Sequence, residues 1–529
     1  MKRIIASAMF VLAAGGAMAA YTYSYENDNK TLVVTVDSGT SWLQADAVLT
    51  ALENNDVTNL VKRGTGTFGV NGVATGFTGD VRVENGELQL KGTNPLGTSG
   101  TIMVTSTKTL ALNQANVAKN IVLDGRDWSK NTRITIWTGV SSVSGKVILG
   151  TASNAYAGNS YFTAYKEGVV TFAGGVEDYD SSHGQYSLFR PNGGGKYVFS
   201  EPVKIKKSFY IAPEVSSSYP LDSRGFAGYY EFAAAGNSTS SLGYDNGSTD
   251  SRMNYVEVKT TVDWAFNNAS MRVYVGHDSV WDLCGTSQRV GYLDVKHASG
   301  NATVITNSLA APATLYVTQT ANSTPDVRFG GNLSVNLSGN YTTTIAYPMT
   351  ATGGITVNAG TLALAAGGSW ANATSVTVAN GAHLSIASGD VLADGCDLVL
   401  GGDDCLEVAA GVELALKSVT VGGTPVDGGV RYTKDNASWL NGDGTVFVPR
   451  GAIVGTEVRW TGEGEDTLMT TSGNWDGLAD LVGGTSIAVL ADGGTKATVS
   501  ATIIFDFFCS LSRAVPFSPV FVRGKEDEG

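Results

Sequence analysis

The sequence predicts an all-β chain folded as a parallel β-helix, a β-solenoid, with a short N-terminal capping helix. Three observations predict it. A glycine-punctuated cassette occurs twice in ungapped alignment, as Thr78-Gly79-Asp80-Val81-Arg82-Val83-Glu84-Asn85-Gly86-Glu87-Leu88-Gln89-Leu90 and as Thr352-Gly353-Gly354-Ile355-Thr356-Val357-Asn358-Ala359-Gly360-Thr361-Leu362-Ala363-Leu364. Looser copies of the strand, turn, strand pattern follow at Val376–Ile386 and Leu406–Leu416. The composition carries 66 Gly against 12 Pro, and Thr, Val and Ser stand where a helical bundle would need long helix formers. A short strand with one apolar face cannot bury that face alone, so successive coils must stack into a continuous core.

The N-terminal residues read as a secretory signal peptide over 1–19. Lys2 and Arg3 supply the positive start, Ile4 to Ala14 a short apolar run, and Ala17-Met18-Ala19 a small-residue cleavage box. The apolar run is shorter than the ~20 residues that cross a bilayer, so no transmembrane segment is expected in the mature chain. Next comes Ser41–Leu52, with apolar residues at helical spacing, the expected cap of the stack's first coil. Residues 20–100 form this cap and the first repeat, and 101–271 an aromatic-rich β region. A second repeat region covers 272–449, ending near Asn441-Gly442-Asp443-Gly444, and 450–529 hold an incomplete further unit and an atypical tail.

Upstream of the first cassette the pattern becomes specific. Leu60-Val61-Lys62-Arg63-Gly64-Thr65-Gly66-Thr67-Phe68, Asn71-Gly72, the Thr78-Gly79 step, the cassette and Asn94-Pro95-Leu96-Gly97 together resemble the autotransporter-associated β-strand repeat. The stretch from Val280-Trp281-Asp282-Leu283 through the cassette at Thr352 is similar to it as well. On this resemblance the repeat-signature residues are Lys62, Gly64, Gly66, Gly79, Gly86, Leu88, Leu90, Gly353, Gly360, Leu362 and Leu364. The resemblance implies a secreted or cell-surface passenger with a structural or adhesive role, associated with an outer membrane and without catalysis or cofactor. Trp460-Thr461-Gly462 and Asn474-Trp475 resemble the opening of another unit, and from Phe505 the pattern matches nothing earlier. A translocator barrel of many alternating ~10-residue segments is not seen. One alternative is therefore a truncated fragment of a larger autotransporter-like protein.

Charge and chemistry narrow the function classes. The balance of 35 basic to 48 acidic residues, a net charge of −13, argues against nucleic acid as partner. The other alternative is a carbohydrate-active parallel β-helix enzyme, a polysaccharide lyase or glycoside hydrolase. Hydrolysis of that kind needs paired carboxylates, and the candidates are Asp178 with Asp180 and Asp403 with Asp404; the candidate histidines are His183 and His277. Their order does not follow a polygalacturonase-like arrangement, and turn residues explain them equally well. No catalytic or metal-ligating set is assigned: the sequence has no His-x-x-x-His, Cys-x-x-Cys or Gly-x-Ser-x-Gly. Lys62-Arg63 is expected to flank a strand. Aromatics crowd the middle region, including Phe162, Tyr165, Phe172, Tyr197, Phe199, Phe209, Tyr230 and Phe232. Exposed, they would offer a surface to an unknown ligand such as carbohydrate; buried, they would be core. Of four cysteines, Cys396 and Cys405 could form a disulfide across Asp397 to Asp404, Cys284 reads as a small buried apolar residue, and Cys509 is left over.

Overall fold

The computed structural model describes residues 21–449 apart from 126–131, 152–158, 166, 181–185, 193–194, 212–227, 244–255, 275–278, 294–302 and 394. Beyond 449 it describes three short strands, at Val458–Trp460, Trp475–Asp476 and Ala488–Leu490. The signal segment, His183, His277, Cys509 and the tail from Phe505 lie outside the described residues.

The chain winds as a parallel β-solenoid. Strands one coil apart pair in parallel register, so each outward or inward residue sits above its equivalent on the coil before. On the first face, Leu60 pairs with Val81, Val81 with Ile102, and Ile102 with Ile121. The column continues through Val147, Val176 and Val203. Parallel bridges Lys204–Ser238, Asn237–Phe266 and Asn267–Arg289 then carry it into Ser287–Val290. From there it runs through Leu315, Val335, Ile355, Val376 and Leu398 to Val419. Pairing crosses positions 100 and 271 without a break, so the compositional zones read from the sequence are stretches of one stack.

The second and third faces diverge at one long strand, Thr109–Val117. Its first half, Thr109 to Leu112, pairs with Thr132–Ile136, and its end, Asn116 and Val117, pairs with Gly139–Val143. Two-sided coils thereby become three-sided. Where Leu90 and Gly92 of the preceding coil face Leu112 and Ala115, this strand carries an extra residue that bends it. The same change lengthens the coil. Paired first-face residues lie 21 positions apart at Val81 and Ile102, and 29 apart at Val147 and Val176.

The core is the inside of the stack. Strands alternate buried and open residues, as in Asp80–Val83 and Leu333–Ser338, the period-two pattern of a strand with one face packed. Val81, Val83, Leu88, Leu90, Ile355, Val357, Leu362 and Leu364 of the two cassettes are all buried. In both copies the first pair of apolar residues stands on the first face and the second pair on the second.

The predicted helix forms over Ala47–Glu53, turning Val48, Ala51 and Leu52 into the core. Asp46 caps it, its Oδ1 accepting from the backbone N–H of Val48 at 2.9 Å and Leu49 at 3.2 Å. The start of the predicted segment differs, since Thr40–Trp42 is a strand of the second face. The helix fills a side of the first coil. The edge of the first face is covered by another element, Thr22–Glu26, which pairs antiparallel with Thr31–Thr35. At the opposite end Thr424–Pro425 folds back antiparallel on Ser418–Val421 through Gly422-Gly423, both at positive φ.

Candidate functional surface

The signature glycines hold turns. Gly86 and Gly360 both adopt left-handed backbone, at φ 69° and 73°, a conformation glycine enters without strain. They also sit where coils touch: a Cβ on Gly86 would lie 2.4 Å from the Gly66 carbonyl oxygen, and one on Gly360 2.3 Å from that of Gly339. Gly79 and Gly353 are equivalent in the same way, each against a backbone carbonyl of the coil before, Thr58 and Leu333.

Lys62 departs from expectation. It lies within the strand Asn59–Arg63 and its side chain is fully buried. The Nζ donates to the carbonyls of Arg63 and Gly64 at 2.8 Å and of Asn85 at 3.0 Å. Alternation explains this, because Leu60 and Lys62 share the inward side while Arg63 turns outward to Glu26 and Glu84, each at 2.8 Å. Burial pulls the Lys62 ammonium down to about 8, with Asp37 and Glu87 opposing. Lys119 repeats the device without a signature: it is buried, donates to the carbonyls of Phe77 and Gly79, and is likewise lowered to about 8 by burial. Both cations are internal fasteners of turns.

Three of the four acidic candidates are tied to neighbouring turns. Asp403 accepts from the Ser438 hydroxyl at 2.5 Å and Asp404 from the Asn441 amide at 3.1 Å, joining one turn to the next. The Asp404 carbonyl oxygen also lies 2.8 Å from His383 Nδ1. Asp178 accepts from the Lys206 backbone N–H at 2.7 Å. A buried carboxylate that sequence reasoning passed over is Asp282. Burial alone would raise its carboxyl, but hydrogen bonds from the Ser308 hydroxyl and N–H and the Cys284 N–H hold it below the usual range. Among the described residues no group of three or more His, Cys, Asp and Glu is arranged to hold a metal ion.

The middle aromatics are largely core. Phe172, Phe199 and Phe232 stack on successive coils, with ring centroids 5.5 and 5.0 Å apart, and Phe162, Phe209 and Phe266 pack edge-on against them. Tyr197 and Tyr230 form a second buried stack. Outside, Trp137 and Tyr165 stack at 4.7 Å, Trp137 being exposed and Tyr165 half-buried. They are neighbouring rungs at the corner between the second and third faces.

The bridge between Cys396 and Cys405 is not formed: both are buried free thiols. Each precedes a strand, Asp397–Leu400 on the first face and Leu406–Val408 on the second, so their side chains enter the core from different walls. Burial raises the Cys396 thiol to about 11. Cys284 is half-buried in a turn at φ 46°, and burial followed by the Asp282 charge raises it to about 11 as well.

No helix among the described residues is long and apolar enough to cross a membrane. No protein family, curated protein or solved structure matches the chain.

Proposed function

We propose that this chain is an exported passenger of the autotransporter-associated repeat type, a rod that serves a structural or adhesive role on or outside the cell without catalysis. The observation that carries this reading is positional equivalence. Two cassettes far apart in sequence occupy the same faces, the same turn and the same inward positions of one uninterrupted stack. Repetition of that kind builds length and outer surface from nearest-neighbour contacts. At the ~4.8 Å spacing of paired strands, the first-face column extends on the order of 80 Å. Asp178, Asp403, Asp404 and the buried lysines are engaged in hydrogen bonds between neighbouring turns, which supports display over hydrolysis.

The test is to produce the full chain in a Gram-negative host, fractionate the cells, and treat intact cells with protease. Export with protease-sensitive protein outside supports the reading; retention of the whole pool in the cytoplasm with an uncleaved N-terminus overturns it. Release of reducing ends or unsaturated products from polysaccharides by the purified chain would replace it with the enzymatic alternative.

A further inference from the structure

One arginine on the outer wall, Arg289, lies beside two aromatic rings at once. Arg63, Arg82, Arg328 and Arg431 each face a carboxylate within 3.4 Å. Arg289 faces none within ion-pair distance among the described residues. Its guanidinium lies instead beside two aromatic rings, 5.4 Å from the centroid of Trp264 and 5.5 Å from that of Tyr316. The two rings are themselves 5.5 Å apart, tilted by 38°. All three side chains are half-buried on the outward side of the stack.

The ladder is set by register. Arg289 pairs with Tyr316 on the first face, and Tyr316 with Asn336. Trp264 comes from the turn of the coil before, with backbone at φ 57°, a conformation that is an outlier for so bulky a residue. One coil earlier the hydrogen-bonded neighbour is Gly236, also at positive φ and with nothing within 4 Å of where a Cβ would stand. A tryptophan thus takes a strained turn position beside the cation, and observed strain of this kind points to function.

A half-buried guanidinium beside two rings and without a carboxylate partner keeps a planar fork of N–H donors that matches a planar carboxylate. Beyond it, Tyr316 and Asn336 offer a hydroxyl and an amide one rung apart, able to donate to or accept from sugar hydroxyls. We propose that Trp264, Arg289, Tyr316 and Asn336 form a binding site for a carboxylate-bearing saccharide. This rests on the adhesive reading above and gives it a ligand class.

The test measures binding of a hyaluronan hexasaccharide, and of its carboxyl-reduced neutral counterpart, to the purified full chain by calorimetry. The acidic sugar is expected to bind, and its affinity to fall about tenfold or more on carboxyl reduction and in Arg289→Gln, the loss of one charged hydrogen-bonded contact. Arg289→Lys should also weaken it, since a point charge lacks the fork. Lys434→Gln, distant and exposed, should bind as the parent does. Parent chain that ignores the acidic sugar, or Arg289→Gln that binds it unchanged, overturns the site. If Arg289→Gln does not fold, Asn336→Ala and the carboxyl-reduced sugar decide. Protease exposure on intact cells is scored separately, so a displayed protein that binds no acidic sugar loses this site and keeps the passenger reading.

Discussion

The Lys62 ammonium reaches the Asn85 carbonyl, 3.0 Å away on the next coil, from a position with no solvent exposure. The carbonyls of Arg63 and Gly64 complete its three acceptors. A cation in the wall of an apolar core is tolerable when its donors find acceptors. Here they hold together the two turns that the signature glycines form.

Replacing Lys62 with Met should destabilise the chain at pH 7 by a few kcal/mol, because three buried carbonyls lose their donor. The gap should change with pH in a definite direction. The folded-state pKa of about 8 lies below the unfolded value near 10.4. Between those values the unfolded chain binds more protons, so the lysine's contribution improves as pH rises through about 8 to 10. Urea midpoints of parent and Lys62→Met at pH 7 and 9.5 should therefore diverge in favour of the parent; a constant difference would show that Lys62 does not titrate in this window.

Turn glycines should not be equivalent. Gly86→Ala and Gly360→Ala meet carbonyl oxygens of the coil before, whereas at Gly381, φ 79°, a Cβ meets nothing within 4 Å. Gly381→Ala should cost only the left-handed backbone penalty, about 1–2 kcal/mol. The other two should cost clearly more in denaturant melts, since coils must separate to admit the methyl.

Leu88 and Leu362 are fully buried on equivalent strands. Leu362→Ala should lose about 2–5 kcal/mol, and Leu362→Asp more, through an unpaired buried charge. Melting of Leu362→Asp that matches the parent by far-UV circular dichroism would refute the inward assignment.

Because Cys396 and Cys405 are free and buried, a thiol reagent should label neither in the folded chain and both after unfolding. Adding reductant should leave the melting temperature unchanged. A drop of several degrees would mean that a bridge contributes in solution.

Much of the fold was legible because its signal is local. Alternation at Val81 and Val83, then Leu88 and Leu90, with glycine between, fixes which side chains point inward before any coordinate is known. The helix was legible from Val48, Ala51 and Leu52, but Thr40–Trp42 pairs with Thr67–Asn71 on the next coil, a contact no local pattern announces. Lys62 shows the same limit. Its residue type says surface, while its register beside Leu60 says core, and register decides. The split at Thr109–Val117 and the pairing state of Cys396 depend on how coils stack. The Trp264–Arg289–Tyr316 cluster joins residues from three coils, so only the register brought it together.

The two ends of the first face share one property. Thr22–Glu26 and Thr424–Pro425 both run against the direction of the coils they cover, and Pro425 has no N–H to offer a further strand. Among the described residues, neither end of this face presents a strand running in the parallel sense that built the stack. Each closing strand thus turns its direction against the coils at the place where their first face stops being paired.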